Sequence, residues 1–187
     1  MYKGLYDCFK HWFHGGQVYF YSDPHFSDAE MQYLRKNYIG DDEQIKRINA
    51  KIGKKDTLVI LGDIGDREWL KKIRGYKVLV LGNHDSGATT YAGYADEIYE
   101  GALIISEKLI LSHEPLSFSY ALNIHGHDHS MQSGQDTMHL NVCAEHINYT
   151  PICLKQIVES GQLKGVPTIH RVTINEAIKR KAKRNSR

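Results

Sequence analysis

The chain has 187 residues, 41% hydrophobic and 25% charged, enough to bury a sizeable core and too apolar for a disordered protein. No apolar run approaches the roughly 20 residues of a membrane span, and the opening MYKGLYDCFKHWFHGG has neither the apolar core nor the cleavage site of a signal peptide. Three cysteines, Cys8, Cys143 and Cys153, are an odd number at unpatterned spacing, which argues against a disulfide framework and for a cytoplasmic location.

The net charge of +2 is unevenly spread. Lys179 to Arg187 hold six of the 24 basic residues and no acid, which leaves 18 against 22 acids, a formal −4, on the rest of the chain. A mildly acidic body argues against a broad nucleic-acid-binding face. The tail reads as a frayed solubilising end or as a contact for a polyanion. One domain is expected over residues 1–187, with an N-terminal extension at 1–16 and a basic C-terminal tail at 176–187.

Tyr2, Tyr6, Phe9, Trp12 and Phe13 of the extension suit a cover for one edge of the core. Gln17 to Ser22 reads as a buried strand running into Asp23-Pro24-His25, where proline ends the ladder. Asp23 and His25, two apart, share a face if the backbone stays extended, a weak metal-ligand pattern on its own. Ser27 with Glu30 has capping-box form and predicts a helix to about Tyr38. A second helix is predicted from the acids at 41–43, with Ile45, Ile48 and Ile52 at helical spacing.

The central element is Thr57 to Leu61, an unbroken apolar run that reads as a strand covered on both faces. It stops at Gly62-Asp63, and ligands in open α/β sheets bind just beyond the carboxyl ends of strands. A short helix at 69–74 and a second buried run at 77–81, ending in Gly82-Asn83-His84-Asp85, complete a βαβ unit. Residues 86–96 read as a loop or short helix. Short strands follow at 98–99, 103–105, 109–111 and 138–142, then a helix over 151–160 with Pro151 near its first turn and a closing strand at 169–174.

Asp23, His25, Asp63, Asn83, His84, His113, His127 and His129 all fall at strand ends, most beside a glycine that permits close backbone approach. Carboxylate, amide and imidazole donors without a thiolate suit Mn, Fe, Ni or Zn, and Mg less well. The set suffices for two ions, and a carboxylate bridges two metals about 3.5–4 Å apart. Asp63, on the middle strand, is the bridge candidate.

Asp23-Pro24-His25, Gly62-Asp63-Ile64-Gly65-Asp66-Arg67, Gly82-Asn83-His84-Asp85, His113 and Gly126-His127-Asp128-His129, in that order, resemble the calcineurin-like metallophosphoesterases, compact members in particular, over residues 17–175. The resemblance implies a four-layer α/β/β/α sandwich of two mixed β-sheets flanked by helices. It implies one metal on Asp23, His25, Asp63 and His129 and another on Asp63, Asn83, His113 and His127, with manganese the first expectation. It implies that His84 contacts the substrate phosphate and protonates the leaving oxygen, that Asp66 orients that histidine, and that Arg67 binds phosphate. The Arg67 assignment competes with a salt-bridged residue at a helix start. The expected reaction is hydrolysis of phosphomonoesters or phosphodiesters by a hydroxide shared between the ions, at an open, shallow site. Rival expectations are a nuclease or nucleic-acid-processing enzyme and a non-catalytic scaffold, which the filled ligand positions disfavour. Specificity is expected in residues 26–50, 86–96 and 114–121, and the oligomeric state stays open.

Overall fold

The computed structural model describes residues 4–130 and 136–185. Its strands are β1 (Val18–Tyr21), β2 (Thr57–Leu61), β3 (Tyr76–Val80), β4 (Glu97–Tyr99), β5 (Leu103–Ser106), β6 (Leu109–Leu111), β7 (Leu122–His125), β8 (His139–Asn141) and β9 (Ile152–Cys153). Its α-helices are α1 (Met31–Leu34), α2 (Asp41–Lys51), α3 (Leu154–Glu159) and α4 (Ile169–Asn185).

Two mixed sheets with flanking helices result. The first has the order β4-β3-β2-β1-β9, parallel except for β9 against β1. The second has the order β5-β6-β7-β8, parallel except for β5 against β6.

The unbroken apolar runs have a simple cause, since successive strand residues face opposite sides. Phe20, Val59, Leu61, Val78 and Val80 meet Leu109, Leu111, Leu122 and Ile124 of the second sheet. Tyr21, Leu58, Ile60 and Leu79 face outward and are covered by Ile45 and Ile48 of α2 and by Ile52 just after it. Each fully buried aliphatic side chain of this kind contributes about 1.5–3 kcal/mol. The N-terminal segment belongs to the same core: a 3-10 helix at Asp7–Trp12 buries Phe9 and Trp12, and the Trp12 indole N–H donates to Glu97 on β4 at 3.0 Å.

Beyond β1 and β8 the two sheets touch. Ser22 pairs with Cys143, and Ala144 N donates to Ser22 O at 3.0 Å. This join brings the segment after β1 beside residues 143–146. No helix among the described residues is long and apolar enough to cross a membrane.

Four elements differ from expectation. The helix predicted from Ser27 shrinks to the single turn of α1. Ser27 itself has φ 63° and donates its N–H to Asp41 Oδ2, so it caps nothing, and the chain turns extended at Arg35 (φ −108°, ψ 114°), which bonds inward. The predicted helix at 69–74 is a 3-10 helix at Arg67–Lys72. The helix predicted from Pro151 starts only at Leu154, because Ile152 and Cys153 are taken up as the edge strand against β1. The predicted closing strand at 169–174 lies in α4 instead. The Ala, Lys, Arg and Glu that follow are strong helix formers, and adding residues to an existing helix is cheap. The basic tail is thus helical to Asn185, and residues 174–185 are exposed.

Candidate active site

The site lies beyond the carboxyl ends of β1, β2, β3, β6 and β7. The chain turns there with unusual backbone: Asp23, His25, Asp63 and His127 have φ of 54°, 46°, 51° and 65°. Left-handed conformations of residues with a side chain are uncommon and persist where the surroundings over-determine them. Asp23 N donates to Gly62 O at 3.1 Å and His25 N to Asp63 O at 3.0 Å, which locks the first two strand ends together. Gly62, at φ 88°, has no room for a Cβ, which would sit 2.4 Å from His113 Nδ1. A Cβ on Gly126 would fall 2.2 Å from Asp23 Oδ2. These two glycines let the ligand-bearing turns close.

Asp63 is 2% exposed and stands between two sets of side chains. Its Oδ2 is 3.5 Å from His25 Nε2, and its Oδ1 is 3.5 Å from His113 Nε2. On one side Asp23, His25 and His129 gather ligand atoms within 4.8 Å of one another, and on the other Asp63, His113 and His127 do the same. Asn83 Oδ1 joins the second set, 2.8 Å from His113 Nε2 and 2.9 Å from His127 Nδ1. His113 Nδ1 lies 2.8 Å from Leu61 O, an arrangement that leaves Nε2 to the centre.

Divalent cations fit this donor set. Asp23 Oδ1 and His25 Nε2 are buried without a hydrogen-bond partner, and His113 Nε2 and His127 Nδ1 crowd to 3.1 Å. Buried groups of this kind are costly unless something pairs them, and a cation between them is such a partner. His129 with Cys143 and Glu145 forms a third compact group. Burial, with Asp23 and Glu145 nearby, pushes the Cys143 thiol far above its ordinary range. It stays a thiol and donates to Asp23 Oδ2 at 3.2 Å.

The histidines differ electrostatically. Burial and then Arg35 hold His25 below its ordinary value, against the opposing pull of Asp63 and Asp23. Glu145, 2.5 Å from His129 Nδ1, holds His129 above its own. Burial pushes Glu145 up, but the His129 contact and Arg35 outweigh it and keep its carboxyl below the ordinary range.

His84 is exposed, with its backbone N–H donating to Asp63 Oδ1 at 3.1 Å and its ring 5.8 Å from that of His25. It opens onto a cleft of about 1090 Å³ that also takes in His25, His129, Met31, Leu34 and Arg35. Met31 and Leu34 of α1 and the residues just after it, Arg35 to Asn37, supply one wall of this cleft. Asp66 and Arg67 are engaged elsewhere. Asp66 Oδ1 caps the 3-10 helix by accepting from Glu68 N at 3.0 Å, and Oδ2 is 3.3 Å from Ser27 Oγ. Arg67 Nη1 donates to Thr90 O at 2.7 Å, and its guanidinium lies over the Tyr94 ring.

Sequence reasoning missed three groups that support the ligands. Asp85 accepts from the N–H groups of Asp63, Ile64 and Gly82 and from Tyr91 Oη. Arg35 Nη2 donates to Asp23 O at 2.8 Å, and Glu145 contacts His129. Asp85 was in view, as the last residue of Gly82-Asn83-His84-Asp85. Arg35 and Glu145 carry no local motif.

The family description "Calcineurin-like phosphoesterase" matches residues 16–175, and the chain belongs to that family. Its members act on phosphoester bonds and bind divalent metals. The fold is similar to that of the Aquifex aeolicus protein of unknown function AQ665, at 25% identity and a TM-score of 0.64 over 77% of this chain and 98% of that one. Pseudomonas putida nuclease MPE matches at 21% identity, TM-score 0.47, over 66% of this chain and 67% of its own. The E. coli phosphoesterase Yfce matches at 18%, TM-score 0.43, over 73% and 81%. No curated protein matches the chain.

Proposed function

We propose that the chain hydrolyses phosphate esters, mono- or diesters, with two divalent cations. Asp23, His25, Asp63 and His129 would hold one, and Asp63, Asn83, His113 and His127 the other. The observation that carries this reading is the placement of Asp63, whose two oxygens face His25 and His113 from opposite sides at 3.5 Å each. Oxygen and nitrogen donors fit manganese, iron, nickel or zinc, and manganese is the ion to try first. When bound, such a pair neutralises phosphoryl oxygens and lowers the pKa of water towards neutrality.

The chain's own residues position the ester and move its proton. His84 stands on the cleft side of the ligands, with its backbone fixed to Asp63. An imidazole so placed protonates the leaving oxygen as general acid. The cleft receives the group attached to that oxygen, with Met31 and Leu34 as an apolar wall. The contacts of Asp66 and Arg67 are with neighbouring chain and do not themselves support the roles expected from the resemblance, orienting His84 and binding phosphate; the kinetics of their variants decide those roles. Three free thiols accord with a cytoplasmic location.

The direct test is an assay with Mn²⁺ on bis-p-nitrophenyl phosphate and p-nitrophenyl phosphate. Metal-dependent release of p-nitrophenol is expected from at least one. No release with Mn²⁺, Fe²⁺, Ni²⁺, Zn²⁺ or Mg²⁺ would contradict the reading.

A second reading, nucleic acid as substrate, draws on α4, where Lys179, Arg180, Lys181, Lys183 and Arg184 all lie on exposed helix. Phosphate contacts of this kind make binding salt-dependent. Removing residues 179–187 should then weaken DNA or RNA binding and flatten its salt dependence; unchanged binding would exclude the helix as the contact.

A further inference from the structure

His129 differs from its fellow ligands in how it is held. Its side chain is 42% exposed, against 11% for His25 and 4% for His113. Burial surrounds the rings of His25 and His113 more fully than that of His129, which sits at the end of the turn after β7. The His129 ring lies 5.7 Å from that of His25, and its hydrogen-bond partner is Glu145, with Nδ1 2.5 Å from Oε1. With Nδ1–H donated to that carboxylate, the Nε2 lone pair is directed inward, where it lies 3.7 Å from Asp23 Oδ1. A histidine ligand held by a carboxylate on its far nitrogen is a recurrent device for setting tautomer and ring angle.

Glu145 in turn faces a buried cation, in an ion pair without a hydrogen bond. Its Oε2 is 3.5 Å from Arg35 Nε, and Arg35 is 6% exposed. The same guanidinium reaches the other side of the cluster, where Nη2 donates to the carbonyl of Asp23 at 2.8 Å. Asp23 is one of the two ligand carboxylates on left-handed backbone at the site. One buried arginine therefore ties together the backbone of one ligand and the orienting carboxylate of another, both on the same side of Asp63. The opposite set is held differently: His113 Nδ1 meets a neutral carbonyl, Leu61 O, and the carboxylate behind that set, Asp85, grips the backbone of the shared Asp63 rather than a histidine ring.

We propose that Glu145 and Arg35 are positioning residues for one of the two cations, the one on Asp23, His25 and His129, and that they set its affinity independently of the other. The inference rests on the dinuclear reading above. It makes the two sites unequal by construction, with an ion-paired carboxylate behind a histidine of the first and a neutral carbonyl behind a histidine of the second. Removal of an outer partner of a metal-ligating histidine typically costs 10- to 100-fold in metal affinity.

The test is a calorimetric titration of metal-free protein with Mn²⁺, on wild type, Glu145→Gln and Cys143→Ser. The expected result is two ions bound by wild type. Glu145→Gln should bind one ion with unchanged affinity and the second about 10- to 100-fold more weakly, and Cys143→Ser, which keeps a hydrogen-bond donor beside Asp23 Oδ2, should still bind two ions. A merely structural role would lower the melting temperature of the metal-free variant and weaken both ions alike, and that pattern would overturn the proposal. So would two ions bound equally by wild type and Glu145→Gln, which leaves the dinuclear reading standing. So would a third ion lost in both Glu145→Gln and Cys143→Ser, which would make Glu145 a ligand. Fewer than two ions on wild type would instead sink the dinuclear reading itself. Should Glu145→Gln fail to fold, Glu145→Asp keeps the charge beside Arg35 while shortening the reach to His129, and the same selective loss is expected.

Discussion

Asp85 grips the backbone of Asp63: its Oδ2 accepts from Asp63 N at 2.9 Å, and its Oδ1 accepts from the next residue, Ile64 N, at 2.9 Å. Oδ2 also takes Gly82 N at 2.8 Å, and Oδ1 the Tyr91 hydroxyl at 2.8 Å. A carboxylate at the end of β3 thus holds the turn at the end of β2 in its left-handed form. Asp85→Asn turns one acceptor into a donor facing N–H groups. It should cost about 1–3 kcal/mol of stability and weaken metal binding. Urea denaturation of the metal-free variant checks the first part; a midpoint equal to wild type would contradict it.

His84 and Asp66 should separate cleanly. His84→Ala is expected to keep both ions and lose about 10²- to 10⁴-fold in kcat, the range for loss of a general acid. Asp66→Ala removes the side chain that accepts from Glu68 N, and should cost about 0.5–2 kcal/mol of stability with kcat close to wild type. Steady-state kinetics beside thermal melts decide between them. A kcat loss in Asp66→Ala as large as that of His84→Ala would give Asp66 the orienting role that the family resemblance implies.

Glu97 links the N-terminal segment to β4. Burial pushes its carboxyl up, but contacts with Tyr99, His11, Tyr76 and Trp12 outweigh burial and hold it below the ordinary 4.5. A depressed carboxylate contributes stability that is present above the unfolded value and lost as pH falls through the folded one. The melting temperature should therefore fall as pH drops below about 4.5, and Glu97→Gln should flatten that limb. A variant with the same acid slope as wild type would show that Glu97 does not carry it.

The central sheet was legible because burial on two faces demands unbroken apolar sequence. The runs at 57–61 and 77–81 admit hardly any other reading, and glycine at their ends marks where the backbone must come close. The segments that misled are those where distant contacts decide. Ser27 has the form of a cap, yet Asp41 takes its N–H and the helix never forms over it. Ile152 and Cys153 look helical beside Leu154, yet β1 needs an edge partner. Residues 169–174 alternate like a strand, but α4 carries them. The same logic divides the site. Asp23, His25 and His127 carry motifs because each must lie at a turn of fixed shape. Arg35 and Glu145 act through side chains that reach across the fold, and no local pattern announces them.

The most direct measurement is metal content after Asp63→Asn. Wild type loaded with Mn²⁺ and freed of excess should retain two ions per chain by elemental analysis. Asp63→Asn, with one charged oxygen replaced by an amide donor, should lose stable binding of both and lose hydrolysis with them. Two ions retained as tightly as in wild type would mean that Asp63 does not bridge them, and the account of this site would fail.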